Sequence, residues 1–583
     1  MPTSLPWRRP RHEVLLLALV AVVALLPVYH VGDQDLSRFC LTQALVHGHL
    51  SNDRCLTPSF DKAIYGGHLY SDKAPGLSLA AVPAAEAVQL PPVDEIEGSS
   101  ARLWAVRVLT SGLAFVLGAF LLGRTAEGLA PGRGDAALVA FALGTIVAPL
   151  AATGFAHVSA ATLGFAAFLL AWRRRPLLAG LVAGAALLVE YQTAAIAVAV
   201  GVYVALRGVR VCAVYVAGLL PGIALLLLYD ALAFGSPFHL SYRYVAIKGQ
   251  QNGLFGIGPP HLHSAWEVFG GSSGLLLVSP VLAAAAYGLF LLYRTRPVEA
   301  VVCAAVTVFF LVLACGYFVP YGGTKLGPRF VVPALPFLAL GLGPAFARRP
   351  RLTGALTVLS VLPVLGLTLV WAPNPPLHQT IWGELARLPF EGRGSRLMRH
   401  MTPNALGLTT VGSRWGLGVM AAAATVALAL VLVRSWPRGS VAVAAAAAAA
   451  LVVGAAQLPA TPVDLRTSIS GSTTAALPGD EVDFVVTLAN ETSRYIPHAV
   501  LMIELPRGMD LLGRPAYERG KGCSGSTMLA CDLTYLDSHM VTRVHVGVRI
   551  AADAPSSLAV RAWCVAGDQV SPRATFSVST GSS

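Results

Sequence analysis

Two aspartates, Asp33 and Asp35, stand just beyond the first long apolar run, in the stretch Gly32-Asp33-Gln34-Asp35-Leu36-Ser37-Arg38-Phe39. Paired carboxylates at such a place serve as a general base or bind a cation. A second stretch, Tyr65-Gly66-Gly67-His68-Leu69-Tyr70-Ser71-Asp72-Lys73-Ala74-Pro75-Gly76, adds His68 and Asp72 as polar candidates and leads into a helix-like apolar segment, Leu77 to Val88. Pro75 suits the first turn of that helix. Lys73, just before it, lies where a phosphate would meet both a cation and helix N–H groups. His157 falls in the tight turn Gly154-Phe155-Ala156-His157-Val158-Ser159. Three readings stay open for it: metal ligand, donor hydrogen bond, or packing. The segment Phe238 to Tyr244 brings Arg243 with aromatic neighbours suited to a sugar or phosphate. His261 and His263 alone are weak grounds for a metal site.

The elements that must position these residues are membrane helices. The chain has 583 residues, 55% hydrophobic and only 12% charged, where a soluble protein carries about a quarter charged residues. Apolar runs recur from Val14 to Gln457, each long enough to cross a hydrocarbon core of about 30 Å. The net charge of +12 sits in short Arg clusters between those runs, the pattern that orients membrane helices rather than one that binds nucleic acid. Spans drawn at about 14–30, 101–122, 135–153, 158–172, 177–190, 193–206, 211–230, 273–293, 298–318, 330–347, 351–371, 413–433 and 440–457 put every cluster on one side. The expected fold is therefore an all-α polytopic bundle of about thirteen spans, with a cytoplasmic N-terminus and an extracytoplasmic C-terminus. The opposite side receives the long loops, 31–100, 231–272, 319–329 and 372–412, and all histidines except His12. Ionisable groups gathered at membrane depth mark a functional cavity. A loop as long as 31–100 is functional or disordered, and its aromatic and Cys content argues against disorder.

Cysteine usage agrees with an extracytoplasmic chemistry, since disulfides persist there. Cys40 with Cys55 and Cys523 with Cys531 are the candidate pairs, although pairing does not follow from sequence. Cys564 is left without an assigned partner. Cys212, Cys303 and Cys315 lie in apolar spans and read as packing residues. From Thr461 the pattern changes to period-2 stretches such as Glu481-Val482-Asp483-Phe484-Val485-Val486-Thr487-Leu488. These imply a β-sandwich. The chain thus divides into a membrane domain, 1–459, and a small extracytoplasmic all-β domain, 460–583.

The acidic residue after span one, the stretch Ala44-Leu45-Val46-His47-Gly48, and Gly67-His68-Leu69-Tyr70-Ser71-Asp72-Lys73-Ala74-Pro75 before an apolar helix resemble the GT-C superfamily of polyprenyl-phosphate-dependent glycosyltransferases. The likeness is greatest to the branch of protein O-mannosyltransferases and the lipid A aminoarabinose transferase, and it covers about residues 14–350. It implies that Asp35, followed by Arg38, is the base that deprotonates or positions the acceptor, with Asp33 as the alternative. It implies that Lys73 contacts donor phosphate, although Lys-Ala-Pro stands here where the family has Lys-Pro-Pro. A second likeness, Lys325-Leu326-Gly327-Pro328-Arg329-Phe330-Val331-Val332-Pro333, implies that Arg329 grips the carrier phosphate bidentately, with Lys325 as a second cation. His157 stands where relatives often carry an Asp. The β domain resembles the Ig-like modules of bacterial surface proteins.

The resemblance implies a hexosyl or pentosyl transferase of the cell membrane and envelope, with a polyprenyl-phosphate sugar as donor. The acceptor is a lipid, glycan or protein, no nucleic acid is involved, and a divalent metal ion is an open cofactor. A transporter or flippase of a lipid-linked sugar and a non-catalytic membrane protein with an outer binding domain are the alternatives.

Overall fold

The computed structural model describes residues 10–27, 33–89 (without 57, 58 and 60), 101–320 (without 252, 272 and 273), 327–370, 410–432 and 464–581 (without 492–495, 498, 519, 521, 534, 537–539, 567 and 568). These fall into two compact units, 10–432 and 464–581. The expected boundary at 459/460, the span 440–457 and Lys325 lie outside the described residues.

The first unit is helical, as backbone must be where no water can satisfy it. Four described helices have the length and apolar content to cross a membrane: Arg102–Leu129, Val209–Phe234, Pro297–Gly316 and Pro350–Thr368. The pair Arg329–Ala339 and Leu342–Arg348, bent by 52°, makes a fifth if counted as one span. Eight further apolar helices are shorter, including His157–Trp172 and Pro176–Val189. The count of thirteen is therefore not shown. Besides that bent pair, which falls on the drawn span 330–347, two more drawn spans are broken: 135–153 into Gly134–Gly144 and Val147–Leu150, and 273–293 into Leu275–Val278 and Val281–Tyr293.

Small residues let these helices approach closely. Gly180 and Gly184 on Pro176–Val189 lie against Gly218 and Gly222 on Val209–Phe234, and a Cβ at Gly180 or Gly218 would overlap the facing backbone. This small-xxx-small contact fixes the helix whose last turn delivers Glu190 to the site.

The segment expected as a long outer loop is built instead from defined elements. Asp33–Val46 is a helix whose first turn carries Asp33 and Asp35, where the helix dipole favours carboxylates. A hairpin follows, Lys62–Tyr65 against His68–Ser71. Its two-residue turn is Gly66-Gly67, with φ of 59° and 82°, as a type I′ turn requires. The chain then enters the helix Gly76–Val88 through Pro75. Cys40 and Cys55, 15 residues apart, form a disulfide that staples the first helix to the turn Asp53–Leu56. Replacing both by serine is expected to remove about 3 kcal/mol. Thermal unfolding in detergent checks this: an unchanged Tm would mean that burial alone holds the segment.

The second unit is a two-sheet β structure around one core. One sheet runs Gly522–Ser524, Met528–Asp532, Ala499–Glu504, Ser557–Ala566, Ala574–Thr580, Ala475–Ala476; the other runs Leu465–Gly471, Glu481–Asn490, Val541–Ile550, Met509–Leu511. Alternation does the work: Val482, Phe484, Val486 and Leu488 face inward from one strand and Val544, Val546, Val548 and Ile550 from its neighbour. Cys523 and Cys531 form a disulfide between paired strands, and Cys564 is a buried free thiol.

Candidate active site

A cavity of about 440 Å³ gathers most of the singled-out residues of the helical unit. Asp33, Asp35, Arg38, Lys73, His157 and Arg329 all line it, joined by Asp61, Glu190, Tyr191, Tyr242 and Tyr317. The contributing helices share a polarity. His157, Ala194, Leu313 and Arg329 reach the cavity from one end of their helices, while Arg173, Arg207, Arg296 and Arg348 mark the other. Basic groups at that far end are tied down: Arg124 to Glu13 at 2.5 Å, and Arg207 to Tyr203, which bonds Glu299 at 2.9 Å.

Asp35 is anchored on both oxygens. Oδ2 pairs with Arg107, and Oδ1 accepts the Gly154 N–H, both at 2.5 Å. Gly154 is required here because a Cβ would come 2.5 Å from Oδ1. Arg107 is 1% exposed and sits immediately before a π-helical turn, Val108–Gly112, inside its span. Such bulges often occur at functional sites. Ser111 of the bulge donates to the Phe155 carbonyl, tying it to the same turn as Gly154.

Lys73 lies between two carboxylates, with Nζ 2.8 Å from Asp72 and 3.2 Å from Asp61. Burial works against its ammonium, but the carboxylates of Asp61 and Asp72 outweigh it and hold the pKa above the usual lysine value. Asp72 does not line the cavity; it positions Lys73 and accepts from Ser37 at 3.1 Å. Arg38 directs Nη2 at Glu190, 3.5 Å away, and Nη1 at the Gln34 side chain, 3.3 Å away. Arg329 holds its guanidinium over the Phe155 ring, 4.8 Å from the centroid, a cation–π contact.

Besides Asp72, two further expected residues do not reach the cavity. His68 is at the outward turn of the hairpin, exposed and paired with Asp53 at 2.9 Å. Arg243 is exposed because its 3₁₀ turn, Ser241–Tyr244, sends Tyr242 inward instead. His261 and His263 are exposed as well. No three His, Cys, Asp or Glu among the described residues come together to hold a metal ion.

Arg107 was not singled out in the sequence; its signal is an arginine deeper than Arg102 in an apolar span. Glu190 was not singled out in the sequence either. What marks it is its place in the break between Pro176–Val189 and Tyr191–Ala205.

The lining divides into a charged half and an apolar half. Ala194, Ala195, Phe309, Leu313 and Phe318 form the latter. Phe309 and Phe318 remain 43% and 45% exposed, so the apolar side reaches the outer surface of the bundle beside Pro297–Gly316.

No family model matches the chain, and no curated protein does. Among solved structures the chain is similar to the oligosaccharyltransferase of Archaeoglobus fulgidus in its apo form, at 13% identity over 69% of this chain and 59% of that one, TM-score 0.40. It is similar to the arabinosyltransferase EmbB of Mycobacterium smegmatis, at 12% identity over 97% of this chain and 64% of that one, TM-score 0.36. It thus spans less than two thirds of either. A collagen-binding domain of a Staphylococcus aureus adhesin matches 20% of this chain and 97% of its own length, at 11% identity and TM-score 0.15.

Proposed function

We propose that this protein is a membrane glycosyltransferase that takes a sugar from a polyprenyl-phosphate carrier and passes it to an acceptor on the extracytoplasmic side. The observation that carries the reading is the divided cavity. Arg38, Lys73 and Arg329 offer cations to a phosphate, and the apolar half leads from them to the lipid-facing surface. A free nucleotide sugar needs no such flank; an isoprenoid chain does. The size lies within the usual range of ligand pockets, roughly 300–1,000 Å³.

In the transfer, an acceptor hydroxyl loses its proton to a cavity carboxylate and its oxygen bonds the anomeric carbon. The bond from that carbon to the phosphate oxygen breaks, and the electron pair leaves with the carrier phosphate. Charge grows on that phosphate, where preorganised cations lower the barrier most. The Arg clusters at the far helix ends support a cytoplasmic position for that end and an extracytoplasmic one for the cavity.

Equilibrium binding to purified protein in nanodiscs tests the recognition step. Farnesyl phosphate is expected to bind at least tenfold more tightly than farnesol or inorganic phosphate, because only it engages both halves. Equal binding of farnesol would remove the phosphate from the account.

A further inference from the structure

The cavity holds four carboxylates on its lining, and they are not equivalent. Asp35 has each oxygen tied to the chain, to Arg107 and to the Gly154 N–H. Asp61 is committed to Lys73 at 3.2 Å. Asp33 stands at the helix start, with its own carbonyl accepting from Ser59. Glu190 differs from all three. It is 4% exposed, lines the cavity, and its Oε2 makes no hydrogen bond. His157 beside it is 1% exposed, and neither ring nitrogen makes a hydrogen bond. Nδ1 of His157 lies 3.6 Å from Oε2 of Glu190, and Nη2 of Arg38 lies 3.5 Å from the same oxygen.

Leaving a buried polar group unsatisfied costs about 1–3 kcal/mol, and here two neighbours do so while facing one cavity. That arrangement awaits a ligand with a donor and an acceptor of its own, which a sugar hydroxyl is. We propose that Glu190 is the general base of the transfer, aimed by His157 and Arg38, and that Asp35 is a positioning residue locked to Arg107. This rests on the glycosyl-transfer reading above.

The step balances with the groups present. The acceptor proton passes to a Glu190 oxygen, the acceptor oxygen bonds the anomeric carbon, and the phosphate leaves with the bonding pair. The Glu190 proton then returns to solvent as product departs. The electrostatic setting suits the role. Arg38 and His157 face its carboxylate directly, and Lys73 and Arg329 line the same cavity. His157, Tyr191 and Tyr242 complete the titratable groups around it.

The test uses full-length protein in nanodiscs with farnesyl-phosphoryl mannose, glucose and arabinofuranose as donors and release of farnesyl phosphate as readout. Glu190→Gln is expected to lower turnover about 10²- to 10⁴-fold while farnesyl phosphate affinity stays within about threefold. The wild-type rate is expected to fall with acidification as the base takes up a proton, and His157→Asn to displace that limb. Retained binding shows that Glu190→Gln is folded. Turnover within threefold of wild type, or affinity falling in step with turnover, overturns the assignment of Glu190 alone. Wild-type protein that binds farnesyl phosphate but cleaves no donor overturns the transferase reading and this inference together.

Discussion

Arg107→Met is expected to be among the most damaging single substitutions in the helical unit. It would strand the Asp35 carboxylate, 3% exposed, with the Gly154 N–H as its remaining hydrogen bond. Breaking a buried ion pair from one side costs about 3–5 kcal/mol. Asp35→Asn is expected to do comparable harm from the other side, by leaving a guanidinium in the same place. The double variant Asp35→Asn/Arg107→Met should recover most of the loss, because both charges then leave together. Thermal unfolding of the four proteins in one detergent measures the coupling. If the double variant is as unstable as the sum of the singles, the pair is not coupled and Asp35 is free to serve otherwise. Gly154→Ala should resemble the single variants, since its methyl group would displace the Asp35 oxygen.

The second large effect is expected at Arg329. A phosphate arriving at the cavity finds Lys73 already shared by Asp61 and Asp72, and Arg38 turned to Glu190. Arg329 stacks on Phe155, and the planar fork of its guanidinium suits two phosphate oxygens. A charged hydrogen bond contributes about 1.5–3 kcal/mol, so Arg329→Ala is expected to weaken farnesyl phosphate roughly 10- to 150-fold. Arg329→Lys keeps the charge but loses the planar fork and the ring stacking; it should recover only part of the affinity. Farnesol binding, which uses the apolar half alone, should not change. If Arg329→Ala weakens farnesol and farnesyl phosphate equally, the side chain shapes the cavity rather than holding phosphate.

Sequence made some of this site legible for identifiable reasons. Lys73 stood before a proline-led helix, and Arg329 stood in the second stretch of family likeness. Both lie on the cavity wall. Asp35 was legible as a chemical group, but its commitment to Arg107 was not, because 72 residues separate them and long-range pairing has no local signature. Glu190 was hidden for a related reason. Its neighbours Val189 and Tyr191 say nothing of Arg38 or His157, which approach from other helices.

The helical fold shows the same division. Period and apolarity located the helices Pro176–Val189 and Pro297–Gly316 within a residue or two. They gave no warning that Thr145 would end one helix or that Pro280 would begin another. Apart from the helix-like stretch Leu77 to Val88, seen as Gly76–Val88, the segment 33–89 was drawn as loop because its helix Asp33–Val46 carries Asp, Gln, Ser and Arg along an otherwise buried length. Those polar residues look solvated in sequence and turn out to face the site.

The most direct test of the account is donor cleavage in proteoliposomes made with the purified full-length protein and undecaprenyl-phosphate-linked mannose, glucose or arabinofuranose. The account predicts that at least one donor releases undecaprenyl phosphate, with its sugar passed to added acceptor or to water. A donor that crosses to the other leaflet with its sugar–phosphate bond intact, and is never cleaved, would contradict it and make the cavity a transport site.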